Sequence, residues 1–188
     1  MKKITPNWYV ITGGPSSGKT TVVNELAKLG YFVAADVARN YINQEIARGK
    51  SLKEIRRNEA EFQRKVLKMK IEREKKIPKD KIVFLDNALP CSIAYYQICG
   101  LNPGGVIKLC RGNQYQKIFF LKQLPVKNDY ARIENAETIR ELNKLLKEEY
   151  KNLGYKVINV PAMSIKERVQ KILAEVEKNQ LSKSKNRL

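Results

Sequence analysis

Short apolar runs alternate along the chain with longer stretches whose apolar residues recur every three or four positions. Trp8-Tyr9-Val10-Ile11-Thr12 is a run of strand-forming residues that ends in glycine, the pattern of a strand buried on both faces. Lys19 to Leu29 carries Val22, Val23, Leu26 and Ala27 on one side, which predicts a helix stopped by Gly30. Tyr31 to Ala34 predicts a second strand, and Val37 to Arg48 a helix punctuated by Gly49. Ser51 and Glu54 have capping-box spacing. Leu52, Ile55, Phe62, Val66 and Met69 then form one helical stripe running towards Lys76, ended by Pro78. Ile82-Val83-Phe84-Leu85 predicts a third strand ending at Asp86. Pro90 to Gly100 reads as a loop or short helix, and Asn102-Pro103-Gly104-Gly105 as a turn or loop. Lys117 to Leu121 predicts a fourth strand, and the polar, irregular stretch Pro125 to Asn135 a mobile segment. Ala136 to Leu153 carries Ile139, Leu142, Leu145 and Leu146 and predicts a helix closed by Gly154. Lys156 to Val160 predicts a fifth strand. Ser164 opens a last helix with Ile165, Val169, Ile172, Leu173 and Val176 on its apolar side.

Five short strands separated by helices predict one α/β domain over residues 1–178, a three-layer sandwich with a five-stranded parallel sheet and helices on both faces. Residues 179–188 read as a basic, frayed tail. Ligands of such sheets sit beyond the carboxyl ends of the strands. The places to inspect are therefore the residues just after Thr12, Ala34, Leu85 and Leu121.

Composition narrows the class. A chain of 188 residues with 43% hydrophobic and 30% charged residues is a globular protein, not a disordered one. No apolar run approaches the roughly 20 residues that span a bilayer, and the basic N-terminus lacks the apolar segment of a secretory signal. There is no histidine, which excludes imidazole catalysis and histidine metal sites. Cys91, Cys99 and Cys110 are odd in number and match no zinc or redox spacing, so they read as reduced thiols of a cytoplasmic protein. The net charge of +18 has two readings. One is attraction to a polyanion, nucleic acid or anionic lipid. The other is a solvated lysine-rich surface, because the lysines lie among glutamates on the predicted helices. Oligomeric state is not legible here.

The first strand-to-helix turn carries specific chemistry. Gly13-Gly14-Pro15-Ser16-Ser17-Gly18-Lys19-Thr20 fits G-x-x-x-x-G-K-[ST] in every required place, and it has the strand before and helix after that the motif needs. Gly13 and Gly18 let the backbone turn tightly and bring N–H groups to phosphates. The helix that follows points its positive end at the same anions. Lys19 has the reach for the β- and γ-phosphates of ATP or GTP, and the Thr20 hydroxyl is a hard oxygen ligand for Mg2+. Asp86, at the end of the third strand, either holds that ion or orients the attacking group; a strand-end cap is the alternative. Asp36 follows the second strand and either accepts a hydroxyl proton or caps the next helix. Arg39, one turn into that helix, faces the same cleft or solvent. Arg132, in the irregular segment, suits a cation that arrives late at the transferring phosphoryl group, with Asp129 and Glu134 flanking it.

With these residues the chain resembles the P-loop kinase-like ATPase family that includes the nicotinamide-riboside kinase domains of NadR-type proteins and the Ttd14-type GTP-binding proteins. The resemblance runs from about Tyr9 to Leu173. Its pieces are Thr12 to Thr21, Asp36-Val37-Ala38-Arg39, Phe84-Leu85-Asp86-Asn87, Pro90 to Tyr96, Asp129 to Glu134 and Leu153-Gly154-Tyr155. It implies a kinase-type nucleoside-triphosphate fold with a kinase-like strand order, Lys19 and Thr20 at the phosphates and magnesium, an acceptor side near Asp36 and Arg39, and a lid-type arginine at Arg132. Together with the residue reading above, the candidate site is Gly13 through Thr21 for the nucleotide, Lys19, Asp36, Asp86 and Arg132 for catalysis, and Thr20 and Asp86 for the metal. Two departures stand out. Asn87 replaces an arginine frequent in the family, and Asp36 a glutamate. The leading expectation is a Mg-dependent phosphotransferase acting from ATP on a small-molecule hydroxyl, such as a nucleoside or nucleotide. The alternative is a nucleotide-dependent module that binds RNA or anionic lipid. A GTPase switch is a weaker fit, because no Asn-Lys-x-Asp run reads guanine; Lys127-Asn128-Asp129 has the wrong order.

Overall fold

The computed structural model describes residues 5–111, 115–124 and 134–185. β1 (Trp8–Thr12) runs down the middle of a parallel sheet, between β3 (Val83–Asp86) and β4 (Lys117–Leu121). β2 (Phe32–Ala34) lies outside β3 and β5 (Val157–Val160) outside β4, so the spatial order is β2-β3-β1-β4-β5. The chain leaves β1 for one side of the sheet and later returns to the other. That change of direction opens a crevice at the carboxyl end of β1. Register aligns Ile11 with Asp86, which sets Asp86 beside the start of the glycine-rich turn.

The all-apolar β1 is buried because both faces of the sheet are covered. Tyr9 and Ile11 point one way, into Val22, Val23 and Leu26 of α1 (Lys19–Lys28) and Val169, Ile172 and Val176 of α8 (Ile165–Lys185). Trp8 and Val10 point the other way, towards Tyr150 of α7 (Ala136–Asn152). On that side Leu142 and Leu146 of α7 also pack on Cys91 and Ala94 of α5 (Cys91–Ile98). Each large side chain buried in these layers contributes about 1.5–3 kcal/mol.

Three elements depart from the sequence reading. The single helix expected from Ser51 to Lys76 is two, α3 (Leu52–Ile55) and α4 (Glu59–Lys76). The Ser51 capping box forms as expected, but Asn58 caps a second start, its side chain accepting from the Glu61 amide at 3.1 Å. The polar run Arg56-Arg57-Asn58 offers no apolar face to continue the first helix. With α2 (Val37–Ala47), these helices make a satellite cluster of Val37, Ile42, Phe62 and Val66 beside the crevice. The expected loop after Asn102 is α6 (Gly104–Cys110). Asn102 turns the chain by accepting from the Gly104 amide, and Val106 and Cys110, one helical turn apart, bury against Leu89, Ile93 and Tyr96. The tail expected to fray from Asn179 continues α8 to Lys185. Asn179 and Gln180 donate to the hydroxyl of buried Tyr9 at 3.0 and 2.8 Å, which ties this stretch to the core.

Candidate active site

The turn after β1 closes on itself tightly. Gly13 has φ +144°, and a Cβ there would lie 2.7 Å from the Leu121 carbonyl oxygen. Only glycine fits both constraints. Ser16 also has positive φ, 61°, a strain on the order of 1 kcal/mol that the surrounding bonds hold in place. The Lys19 ammonium donates to the carbonyls of Gly13 and Gly14 at 2.8 and 2.9 Å, so it lies over the loop it is expected to serve. At the start of α1, Gly18 supplies no side-chain cap and the first turn holds no acidic residue. A helix start of this kind directs its positive end at the loop without a side-chain anion to neutralise it.

The strand ends meet in a chain of contacts. Thr20 donates to Asp86 Oδ2 at 2.9 Å. Thr12 donates to Asn87 Oδ1 at 3.0 Å, and Asn87 Nδ2 donates to Asp36 Oδ2 at 3.3 Å. Asp36 also caps α2, its Oδ1 accepting from the Ala38 amide at 2.8 Å, so capping and placement in the cleft are served by one carboxylate. Asp86 is 1% exposed. Burial, with the charge of Asp36 added, pushes its carboxyl up to about 6, against the pull of Lys19, the Thr20 hydroxyl and Arg73. Its second oxygen, Oδ1, is buried without a hydrogen-bond partner. A buried acceptor left unpaired costs about 1–3 kcal/mol, a cost that a ligand at this spot would remove.

Several long-range side chains hold this geometry, and no local signal announced them. Asn143 of α7 accepts from the Gly14 amide at 2.8 Å. Arg73 of α4 donates to the carbonyls of Ala35 and Asn87 at 2.7 and 2.6 Å, pinning the ends of β2 and β3 together. It reaches the strand end where the family frequently has an arginine next to the aspartate, but it binds backbone there. Arg168 of α8, 1% exposed, donates to the Ser17 carbonyl at 2.5 Å and the Lys122 carbonyl at 3.3 Å. Burial lowers the pKa of its guanidinium.

Beside Asp36 the crevice continues as a cleft. Lys19, Thr20, Asp36, Asn87 and Arg39 line it. Phe62, Gln63, Val66 and Tyr95 also line it, with Arg56, Lys70 and Glu134 among them. Arg56 bridges Glu59 and Glu134, at 2.5 and 2.7 Å. Burial works against its charge, but the two carboxylates outweigh it and raise its pKa. Glu134, expected only to flank Arg132, thus braces the cleft wall. Arg132 and Asp129 themselves lie outside the described residues. The structure therefore brings Lys19, Thr20, Asp86, Asp36 and Arg39 to one crevice. The three cysteines are free, and burial raises all of their pKa values, Cys110 to about 12. Among the described residues no three histidine, cysteine, aspartate or glutamate side chains gather as a metal cluster, and no helix is long and apolar enough to cross a membrane.

The loop, the strand order and the carboxylates at the strand ends define a P-loop protein of kinase-like architecture. The chain belongs to the AAA domain family, whose model matches residues 8–168. No curated protein matches the chain. Among solved structures, the fold is similar to deoxyadenosine kinase from M. mycoides with dCMP and a flexible dCDP bound. The TM-score is 0.64 at 15% identity, over 91% of this chain and 98% of that one. A NadR protein in complex with NAD and AMP-PNP gives 0.65 at 18% identity, over 93% of this chain and 49% of that one. Thymidylate kinase from Ehrlichia chaffeensis gives 0.63 at 16% identity, over 92% and 99%. At such identities the likeness establishes the fold.

Proposed function

We propose that the protein transfers the γ-phosphoryl group of ATP or GTP to a hydroxyl of a small molecule held in the cleft beside Asp36. One observation carries this reading. Thr20 and Asp86 touch at 2.9 Å, and Asp36, bonded to Asn87 next to Asp86 in the chain, lines the same cleft as Lys19 and Thr20. Hydrolysis alone needs no cleft that also presents Phe62 and Tyr95.

The reading assigns roles to residues of this chain. Backbone N–H groups at the start of α1 bind phosphate oxygens, and Lys19 moves from the loop carbonyls to the β- and γ-phosphates. The Thr20 hydroxyl and the unpaired Asp86 Oδ1 are hard oxygen donors of the kind Mg2+ takes, directly or through water. Bound there, the ion would neutralise charge developing on the phosphates. Asp36 accepts the proton of the acceptor hydroxyl. The acceptor oxygen forms its bond to the γ-phosphorus, the bond from that phosphorus to the β–γ bridging oxygen breaks, and the nucleoside diphosphate leaves with the electron pair. Asn87 and the Ala38 amide keep the Asp36 carboxylate aimed.

The kinases with this fold include ones named for deoxyadenosine and for thymidylate, which makes nucleosides and nucleotides the first acceptors to try. The test is incubation with γ-labelled ATP or GTP, Mg2+ and a panel of nucleosides, nucleoside monophosphates and hydroxy acids. A labelled small-molecule product that disappears in Asp36→Asn is the expected result. Release of labelled phosphate with no product from any acceptor would sink the reading and favour a nucleotide-dependent binding module.

A further inference from the structure

Lys70 sits on α4 with 3% of its surface exposed, at the wall of the cleft. Its ammonium donates to Cys91 Sγ at 2.6 Å and Ser92 Oγ at 3.2 Å, and lies 5.9 Å from the Tyr95 ring centroid. None of these partners is a carboxylate. Burial raises the Cys91 thiol, which favours its neutral form. Glu74, one turn further along α4, accepts from the Leu89 amide and the Tyr115 hydroxyl, so the hydrogen-bond partners of the Lys70 ammonium are neutral groups, an arrangement that is costly to bury. The ammonium also has three donors, of which these contacts use two.

The surroundings say what would repay that cost. The charged residues that line the cleft are Lys19, Arg39, Arg56 and Lys70 on one side of the balance and Asp36 and Glu134 on the other. Glu134 is paired with Arg56, which Glu59 also engages, and Asp36 keeps its charge among the neutral amides of Ala38 and Asn87. Lys70 is a lining cation held by neutral side chains. The other walls of the cleft are Ile42, Phe62, Val66 and Tyr95, flat or apolar surfaces suited to a ring. We propose that Lys70 binds a negatively charged group, phosphate or carboxylate, on the acceptor, so that the acceptor is an anionic, ring-bearing hydroxyl compound and not its neutral counterpart. The proposal rests on the reading of this cleft as the acceptor site. Lys70 is a specificity residue in it: the acceptor's anion anchors at Lys70, and its hydroxyl lies towards Asp36.

Two measurements test it. The first compares matched acceptors with labelled ATP and Mg2+: a nucleoside against its 3′-monophosphate, in which the 5′-hydroxyl stays free, and a cyclic hydroxy acid against its amide. Wild type should prefer the charged member, and the pair that reacts tells phosphate from carboxylate. Lys70→Met, close in length but neutral, should raise KM for the charged acceptor about 10- to 100-fold while leaving KM for ATP unchanged. Lys70→Arg should keep the preference for the charged member, and serves for the comparison with wild type if the methionine variant does not fold. The second measurement needs no turnover. Protein loaded with AMP-PNP and Mg2+ is titrated with inorganic phosphate by calorimetry, and binding should be present in wild type and lost in Lys70→Met. Equal use of neutral and charged acceptors, or phosphate binding that is the same in both proteins, overturns the proposal. Lys70-dependent phosphate binding with no product from any acceptor would instead retain the anion site and remove the transferase reading.

Discussion

Lys19 precedes Thr20 in the chain and Asp86 is bonded to the Thr20 hydroxyl, and each of the two makes a separate prediction. The Lys19 ammonium contributes to the loop through two carbonyls and adds little to the core. Lys19→Ala should therefore lower phosphoryl transfer by about 100- to 1,000-fold or more while circular dichroism shows an intact fold. Full activity in the pure variant would remove its assigned role. Asp86 predicts a pH dependence. Its carboxyl is raised to about 6 in the folded chain from an ordinary value of 3.8. The folded state therefore holds this proton more tightly than the unfolded state, so the group favours folding below about pH 4. That contribution is lost as pH rises through 6. The difference is worth roughly 3 kcal/mol as an upper figure. Asp86→Asn should accordingly be more stable than wild type at pH 8 in the absence of nucleotide and metal, with the gap closing towards pH 4 in thermal melts. Added Mg2+ with nucleotide should stabilise wild type much more than the variant.

The break between α3 and α4 is the element that shapes the cleft. It lets Arg56 turn inward to Glu59 and Glu134, and it places Phe62, Val66 and Lys70 along one wall. Asn58 makes the second start by accepting from the Glu61 amide. Asn58→Ala should cost about 1 kcal/mol, seen as a lower urea midpoint with unchanged slope. Because the cap lies between Arg56 and Phe62, which both line the cleft, and away from the phosphate loop, acceptor KM should rise more than KM for ATP. A stability loss with both constants unchanged would mean the break is incidental to the site.

Over the whole molecule, both faces of the sheet need their helices, and α8 does more than cover one. Through Arg168 it holds the Ser17 carbonyl, and through Asn179 and Gln180 it satisfies the Tyr9 hydroxyl in the core. Truncation after Lys178 should leave that buried hydroxyl without these donors and cost about 1–3 kcal/mol, a drop of several degrees in Tm. An unchanged Tm would mean that the last turns add nothing. The large positive charge behaves differently. Lys28, Lys75 and Lys178 pair with glutamates three residues away on exposed helix faces, contacts worth little individually. This pairing fits a solvated surface and does not require a polyanionic partner.

What could be read from the chain alone was what depends on near neighbours. The phosphate loop is eight consecutive residues, the buried strands are continuous apolar runs, and the Ser51 cap is a spacing of three, so each carries its own signal. The order of the elements, together with the resemblance, also led to the sandwich with its kinase-like sheet, and to Asp36 and Asp86 as strand-end carboxylates. The break at Asn58 was signalled too, by Glu61 three residues on, but the apolar stripe on either side masked it. Turn residues likewise concealed α6, whose stability comes from burying Val106 and Cys110. Packing alone decided which distant side chains reach the site. Asn143 lies 129 positions from Gly14, Arg168 151 from Ser17, and Lys70 21 from Cys91. None sits in a motif, because each is set by which helix packs beside the phosphate loop or beside α5. The cleft is lined by residues from separate elements, Lys70 among them, which only folding brings together.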